Sequence, residues 1–287
     1  MSKFTINFMT HESRHRYKNI RFFSGEKENN EDLAEEIANT FDLYVMDAFA
    51  TAHRKSASTY GAIKKSKNVC MGMLFSYEIK KIDQALKESS KLNSIVGGSK
   101  ISTKIKVLEN LLEKSQKVLV GGGIANTFLK AMGYEIGKSL VEDNMLDMAE
   151  KMLKTDKIIV PENVYIAESS EVGEAILVPV EDVHKDKMIL DIEFNIKEMD
   201  KLLTEMTIWN GPLGMFEHDK FSNGTKKLIS YLEYTSSKVI AGGGETIFAI
   251  KKFSDIKNFD YVSTAGGAFL SYLGGDLLPA IEALKTK

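Results

Sequence analysis

Two stretches, "KVLVGGGIANTF" at 117–128 and "KVIAGGGETIFAI" at 238–250, share one construction: a short apolar run, a cluster of glycines, then a helix-like segment. Repeated along a chain, strand, glycine turn and helix are the grammar of an α/β fold. The continuous apolar cores "VLV" and "KIIV" suit parallel strands buried on both faces. Further strands are expected in "DLYVMDAF" (42–49), "LNSIVGG" (92–98), "KIIVP" (157–161), "MTIWNG" (206–211) and "FDYVSTAGG" (259–267).

Helices alternate with them. "STKIKVLENLLEK" puts Ile105, Leu108, Leu111 and Leu112 on one stripe, and "NEDLAEEIANTF" spaces Leu33, Ile37 and Phe41 four apart. Ser102 or Ser99, and Asn30, are the expected N-caps. "FSYEIKKIDQALKESSKLN" (75–93) reads as one charged amphipathic helix, a connector between two domains.

A length of 287 residues suggests one large or two ordinary domains. Net charge is −2, from 38 basic and 40 acidic residues, which recommends neither nucleic acid nor a membrane surface as partner. An anionic ligand must therefore be caught locally. One cysteine, Cys70, forms no internal disulfide, and its setting "NVCMGMLF" suggests a buried small apolar residue. With no secretory pattern in "MSKFTINFMT" and no run of roughly 20 apolar residues, a cytoplasmic location is expected.

Glycine clusters recur at Gly97-Gly98, Gly121 to Gly123, Gly242 to Gly244 and Gly266-Gly267. A glycine at a strand end lets the backbone come close to a phosphate, and the next helix offers its N–H groups. Singly each is an ordinary turn; together they point to a nucleotide or phosphorylated ligand. Neither G-x-x-x-x-G-K-[ST] nor G-x-G-x-x-G is present, which disfavours P-loop and plain dinucleotide enzymes. In "GGSKISTK", Lys100 and Lys104 stand four apart, so a helix starting there would project both ammonium groups from one face. Arg14, Arg16, Lys18, Arg21 and Arg54 gather positive charge early in the chain, while the glycine loops come later, which suggests two complementary anion sites. "HESRH" (11–15) satisfies H-E-x-x-H, but no apolar helical stripe surrounds it and no third ligand is indicated, so zinc is rejected.

Taken together the motifs resemble phosphoglycerate kinase. The resemblance runs through "KNIRFFSGE", "YVMDAFATAHRKSASTYG", "IVGGSKISTKIKVLENLLEK", "VLVGGGIANTFLKAMGYEIGKSLVE", "TIWNGPLGMFE", "GGGET" and "STAGGAFLSYL", and covers essentially everything after residue 17. It implies two Rossmann-like three-layer α/β domains with parallel sheets joined by a helix. It places a 3-phosphoglycerate domain at 1–75, the connector at 76–92 and a nucleotide domain at 93–264, with 265–287 packing back on the first. The implied reaction is reversible transfer of the acyl phosphate of 1,3-bisphosphoglycerate to ADP, giving 3-phosphoglycerate and ATP, with Mg2+ on the nucleotide, by a monomer.

By motif, the resemblance assigns Arg21 and Arg54 to the substrate phosphate and carboxylate, and Lys100 to the transferring group. Lys104 falls on the nucleotide phosphates, Gly121 and Gly122 on the adenine pocket, and Asn210, Pro212 and Glu217 on the nucleotide, with Glu217 at the ribose. Gly242, Gly243, Gly244, Glu245 and Thr246 form the phosphate and magnesium loop, Glu245 being the metal-side acid. Gly266 and Gly267 face the transferred group from a helix N-terminus. "MTHESR" sets His11 and Arg14 on the family's His and Arg.

Several positions depart from the family. D-x-N-x-P is absent, so the first domain is expected to be incomplete and to expose apolar surface. D-[IV]-G-P reads "DIEF" at Asp191 to Phe194, and the family's aspartate after the triple glycine is Glu245, whose extra methylene moves the carboxylate. An impaired, nucleotide-binding remnant is the alternative these departures leave.

Overall fold

The computed structural model describes residues 19–88, 91–195, 199, 202 and 204–286. His11, Arg14 and the "HESRH" stretch lie outside them, as do Ser89 and Ser90 of the connector.

Eleven strands occur among these residues: β1 (Tyr44–Met46), β2 (Val69–Met71), β3 (Leu92–Val96), β4 (Val118–Val120), β5 (Ile158–Ile159), β6 (Asn163–Ala167), β7 (Ile176–Pro179), β8 (Met188–Glu193), β9 (Met206–Asn210), β10 (Lys238–Gly242) and β11 (Tyr261–Ser263). Six form a sheet in the order β11-β10-β9-β3-β4-β5, every pair parallel. Successive side chains of a strand point to opposite faces, and here both faces are covered. Leu92, Val96, Val118, Val120, Ile208 and Ile240 enter one core, whereas Ile95, Leu119, Trp209, Val239 and Ala241 enter the other. That double burial is why most of these strands read as apolar runs, with Asn93 and Ser94 of β3 as buried polar exceptions.

A second sheet, β7-β6-β8, is antiparallel and was not expected from the sequence. It brings β8, and with it "DIEF", alongside the helix Asn223–Tyr234. The third sheet contains only β1 and β2, paired in parallel. Cys70 sits in β2 and is exposed, contrary to the expected burial, because the two-stranded sheet leaves that position uncovered.

The helix Glu31–Thr40 is capped by Asn30, whose side chain accepts from Leu33 N at 2.9 Å. It buries Leu33, Ala34 and Ala38, while Phe41 falls just beyond its end and is exposed. The stripe on Ile105–Lys114 is as expected except that Ile105 is half-buried and Val107 joins the core. The connector begins earlier than expected, as the helix Met73–Asp83, and continues in a π-helical turn, Gln84–Glu88. Leu92 and Asn93, read as its end, belong to β3. Phe75 and Ile82 of the connector share a core with Phe49, Leu108, Phe269 and Ile281. The chain end returns to the first region, where Ala280 N donates to Ala52 O at 3.2 Å.

Candidate functional site

The carboxyl ends of the central parallel strands are tied to one another through their backbones. Gly97 N donates to Asn210 O (2.9 Å), Gly121 N to Val96 O (3.1 Å), Gly122 N to Leu213 O (2.8 Å) and Ile124 N to Gly98 O (3.1 Å). Gly97 shows why side chains are absent at these turns: a Cβ there would meet Pro212 O at 1.9 Å. Several of the glycines therefore serve the approach of one strand end to another.

Lys104 lies inside this arrangement. Its ammonium donates to Gly97 O and to Asn210 Oδ1, each at 2.6 Å, and Asn210 Nδ2 donates to Gly242 O at 2.6 Å. Thr246 Oγ1 completes the knot, donating to Gly242 O (2.9 Å) and accepting from Gly211 N (2.8 Å). Burial pushes the Lys104 amine down to about 8, against the opposing pull of the Glu245 carboxylate.

Lys100 and Lys104 do not share a helical face. Residues 101–104 form a turn and the helix starts at Ile105. The cause is Glu142, whose carboxylate accepts Ser102 N at 2.9 Å and the Ser102 hydroxyl, so Ser102 is held there and caps no helix. Lys104 consequently turns in toward β9, while Lys100 is exposed; against the upward push of desolvation, the Ser102 and Ile101 hydrogen bonds and then the Lys100 charge hold Glu142 below the usual carboxylate range.

Beside the knot is a cavity of about 610 Å³ whose lining includes Gly122, Asp191, Pro212, Glu217 and Glu245. Gly121 is not among the lining residues; it backs onto Leu213, whose Cδ2 would lie 2.5 Å from a Cβ there. Gly243 and Gly244 start the helix Gly244–Phe253, whose first turn carries Glu245, exposed. A Cβ on Gly244 would meet nothing within 4 Å, so this turn is open to a ligand. Lys252, on the same helix, donates to Phe216 O and Glu217 O at 3.0 Å and steadies the loop bearing Glu217.

Asp191 is a lining residue that the sequence reading treated only as part of a divergent motif. It is buried, accepts Gly224 N at 2.9 Å through Oδ2, and Oδ1 has no partner among the described residues. Burial pushes its carboxyl up to about 7, against the pull of the Gly224, Ile192 and Asn223 N–H groups. The neighbouring Glu193 is held by Tyr165 OH at 3.1 Å, Asn223 Nδ2 at 2.9 Å and Lys227 Nζ. Glu193 and Phe194 line a different cavity, of about 720 Å³, and not the one beside Lys104.

Arg21 and Arg54 line a second candidate site, a cavity of about 570 Å³. Lys27 and Lys55 add positive charge there, and Glu26 and Asp47 negative. His53, adjacent to Arg54 in sequence, packs on the other predicted group: its Nε2 would lie 3.2 Å from a Cβ on Gly267, and Gly266 has open space around it. Burial holds the His53 imidazole below its usual range.

A parallel sheet with glycine turns and a cavity at its carboxyl edge defines a class of α/β proteins that bind small molecules at that edge. Comparison with known families narrows this: residues 6–276 match phosphoglycerate kinase. Phosphoglycerate kinase of Francisella tularensis subsp. tularensis (strain WY96-3418) is 47% identical over 283 residues, covering 94% of this chain and 71% of that protein. That of Coxiella burnetii is 45% identical over 277 residues, covering 93% and 71%. The solved structure of phosphoglycerate kinase from Coxiella burnetii superposes with a TM-score of 0.88 at 44% identity, covering 93% of this chain and 72% of that one. The structure from Pyrococcus horikoshii OT3 gives 0.78 at 30% identity, covering 93% and 71%. The chain belongs to the phosphoglycerate kinase family and is a phosphotransferase of the kinase type.

Proposed function

We infer that this chain transfers a phosphoryl group reversibly between 1,3-bisphosphoglycerate and ADP, giving 3-phosphoglycerate and ATP. The observation that carries the reading is the Lys104–Asn210–Gly97 knot beside the Gly122–Glu217–Glu245 cavity, which sets a half-buried cation beside an open helix start. The nucleotide occupies that cavity, with its base against Gly122 and Pro212, Gly121 supporting that turn from behind, its ribose at Glu217 and its phosphates toward Lys104 and the Gly242 to Thr246 turn.

Among the described residues no three His, Cys, Asp or Glu side chains converge on a metal position. That fits magnesium, which is held by one or two carboxylates together with substrate phosphates. Glu245, exposed on the first turn and lining the cavity, is the acid placed for this. Bound there with the phosphates, the ion supplies neutralisation of charge on the transferring group.

Arg21 and Arg54 take the phosphate and carboxylate of 3-phosphoglycerate, for which a planar guanidinium fork is suited. Lys100, free of the Lys104 knot, follows the transferring group, and Gly266 and Gly267 direct N–H groups at it. The acceptor oxygen belongs to the already ionised carboxylate of 3-phosphoglycerate when ATP is the donor, and to the already ionised terminal phosphate of ADP in the other direction, so no general base is needed; alignment and charge neutralisation suffice. The connector Met73–Glu88 separates a substrate domain from a nucleotide domain, with 265–287 returning to the first. The enzyme works as a cytoplasmic monomer; among the described residues no helix is long and apolar enough to cross a membrane.

A coupled assay with ATP, magnesium and 3-phosphoglycerate tests the reading: formation of 1,3-bisphosphoglycerate supports it. Tight ADP binding by calorimetry without turnover would leave nucleotide binding alone and overturn it.

A further inference from the structure

Glu26 is 4% exposed and lies in the wall of the cavity that holds Arg21 and Arg54. No ion pair within 4 Å holds it there among the described residues; its partners are neutral donors. Oε1 accepts the Ser56 hydroxyl at 2.7 Å and the Ser58 hydroxyl at 2.6 Å, and Oε2 accepts Ser58 N at 3.0 Å. Its own carbonyl accepts Ala57 N at 2.9 Å. The contacts continue to the arginine: Ser56 Oγ is 2.9 Å from Thr59 Oγ1, which donates to Arg54 O at 2.7 Å. On the other side Tyr44 OH donates to Ser58 O at 2.5 Å, and burial together with the Glu26 charge pushes that phenol up to about 12.

A buried carboxylate is costly unless several donors satisfy it, and a group with only acceptors suits a place where two hydroxyls and a backbone N–H converge. The segment carrying Arg21 (Ile20–Phe22) runs directly into Glu26, and the segment carrying Arg54 runs directly into Ser56. Together with the Ala57 N–Glu26 O hydrogen bond and the packing of Ala57 on Leu33 and Ala34, the carboxylate thus rivets the two short pieces of chain that present the two guanidinium groups.

We propose that Glu26 is a positioning residue for the substrate-anion site, fixing the spacing of Arg21 and Arg54 through Ser56 and Ser58 while remaining out of contact with the substrate. The inference rests on the reading of that cavity as the 3-phosphoglycerate site. It also predicts that geometry outweighs charge. As a bare negative charge, Glu26 opposes anion binding; as a rivet, it promotes it.

Replacement by glutamine separates the two effects. A Glu26→Gln amide oxygen can still accept Ser58 N, while the serine hydroxyls rotate to accept from its amide hydrogens, so the rivet persists without the charge. Glu26→Ala removes both. The expected result is a KM for 3-phosphoglycerate raised by about tenfold or more in Glu26→Ala, since small misplacements of binding groups are strongly felt. KM for ATP should stay within about twofold in both variants, and Glu26→Gln should keep the wild-type KM for 3-phosphoglycerate or lower it. Ser58→Ala, a milder change, should shift the same KM in the same direction by about twofold to threefold and serves if Glu26→Ala does not fold.

An unchanged KM for 3-phosphoglycerate in Glu26→Ala, or in Ser58→Ala where the first is unfolded, overturns the proposal. Equal rises in both substrates' KM values overturn it too, because they indicate general loosening. Calorimetry on the wild type distinguishes the two levels: if 3-phosphoglycerate does not bind at all, the reading of the cavity fails; if it binds equally to wild type and variant, only the role of Glu26 fails.

Discussion

The central parallel sheet and the β1–β2 pair are built from similar residues but are finished differently. Strand β3 is buried at every position, and its neighbours on both sides supply hydrogen bonds and cores. In β1, Val45 is 50% exposed, and around the pair Leu43, Met71, Met73 and Leu74 are also exposed. A strand with a partner on each side and packing on each face has one register; a two-stranded unit owes its position to what it packs against. Here that support comes from Phe49 and Phe75, whose rings meet edge to face at 5.3 Å, and from the returning C-terminal helix. The central sheet is therefore covered on both faces, sharing one of its cores with Phe49, Phe75 and Ile281, and the region of Arg21 and Arg54 is held by contacts distant in sequence. The chain spans 71% of the length of the phosphoglycerate kinases it matches in Francisella and Coxiella.

The difference can be tested from the largest effect downward. Lys100→Ala should lower kcat by about 10²–10³-fold, the scale of losing one group aimed at developing charge. Because Lys100 is exposed, the melting temperature should not move; an unchanged kcat would place transfer elsewhere. Ile95→Ala, in β3 between Trp209 and Leu119, should cost about 2–5 kcal/mol by denaturant unfolding. If it costs no more than a surface change, the claim that this sheet is buried on both faces is wrong.

The third test uses pH. Burial lowers the Lys104 amine from 10.5 to about 8 in the folded protein. Between these values the unfolded chain holds a proton that the folded one does not, so this group adds stability as pH rises through the window and the gain is lost as pH falls through about 8. A polyphosphate restores the charge. Nucleotide binding should therefore take up a proton and weaken as pH rises above about 8, and calorimetry in buffers of different ionisation enthalpy measures this. Lys104→Met should abolish the uptake. The smallest effect is expected at Met73, 89% exposed at the start of its helix, which has no acid in its first turn. Met73→Glu should stabilise by about 0.3–1 kcal/mol through the helix dipole, seen as a small rise in melting temperature. A loss instead would mean that Met73 is covered in solution.

Much of the fold was legible because the central strands carry their environment in their composition. "VLV" is unbroken and "MTIWN" and "KVIAG" nearly so, as strands covered on both sides tend to be, while "LNSIV" buries Asn93 and Ser94 on hydrogen bonds to Lys117 N and Ser115 Oγ. Strands β6 to β8 were not legible. Ile176 and Leu177 of β7 are both about half exposed, so neither alternation nor continuous burial marks them. Cys70 misled for a related reason: an apolar neighbourhood in sequence does not reveal that its sheet has only two strands.

The site followed the same division. Gly122, Pro212, Glu217 and Glu245 were visible as motif residues and do line one cavity. The direction of Lys104 was not visible, because it is set by Asn210, 106 residues away, and by Glu142, which holds Ser102 from 40 residues away. Glu26 was hidden similarly, its partners standing 30 and 32 residues downstream.

By itself the sequence determined the α/β alternation, the glycine turns at the strand ends and the family, since these depend on residue type and short spacing. Only the tertiary structure decided which glycines support a neighbouring strand and which leave room for a ligand, and whether a lysine points inward or out. It also showed that Glu193 is absorbed by Tyr165, Asn223 and Lys227 away from the cavity beside Lys104. Those outcomes depend on hydrogen-bond partners and packing surfaces brought together from distant parts of the chain, and a side chain's direction follows the partner that folding places within reach.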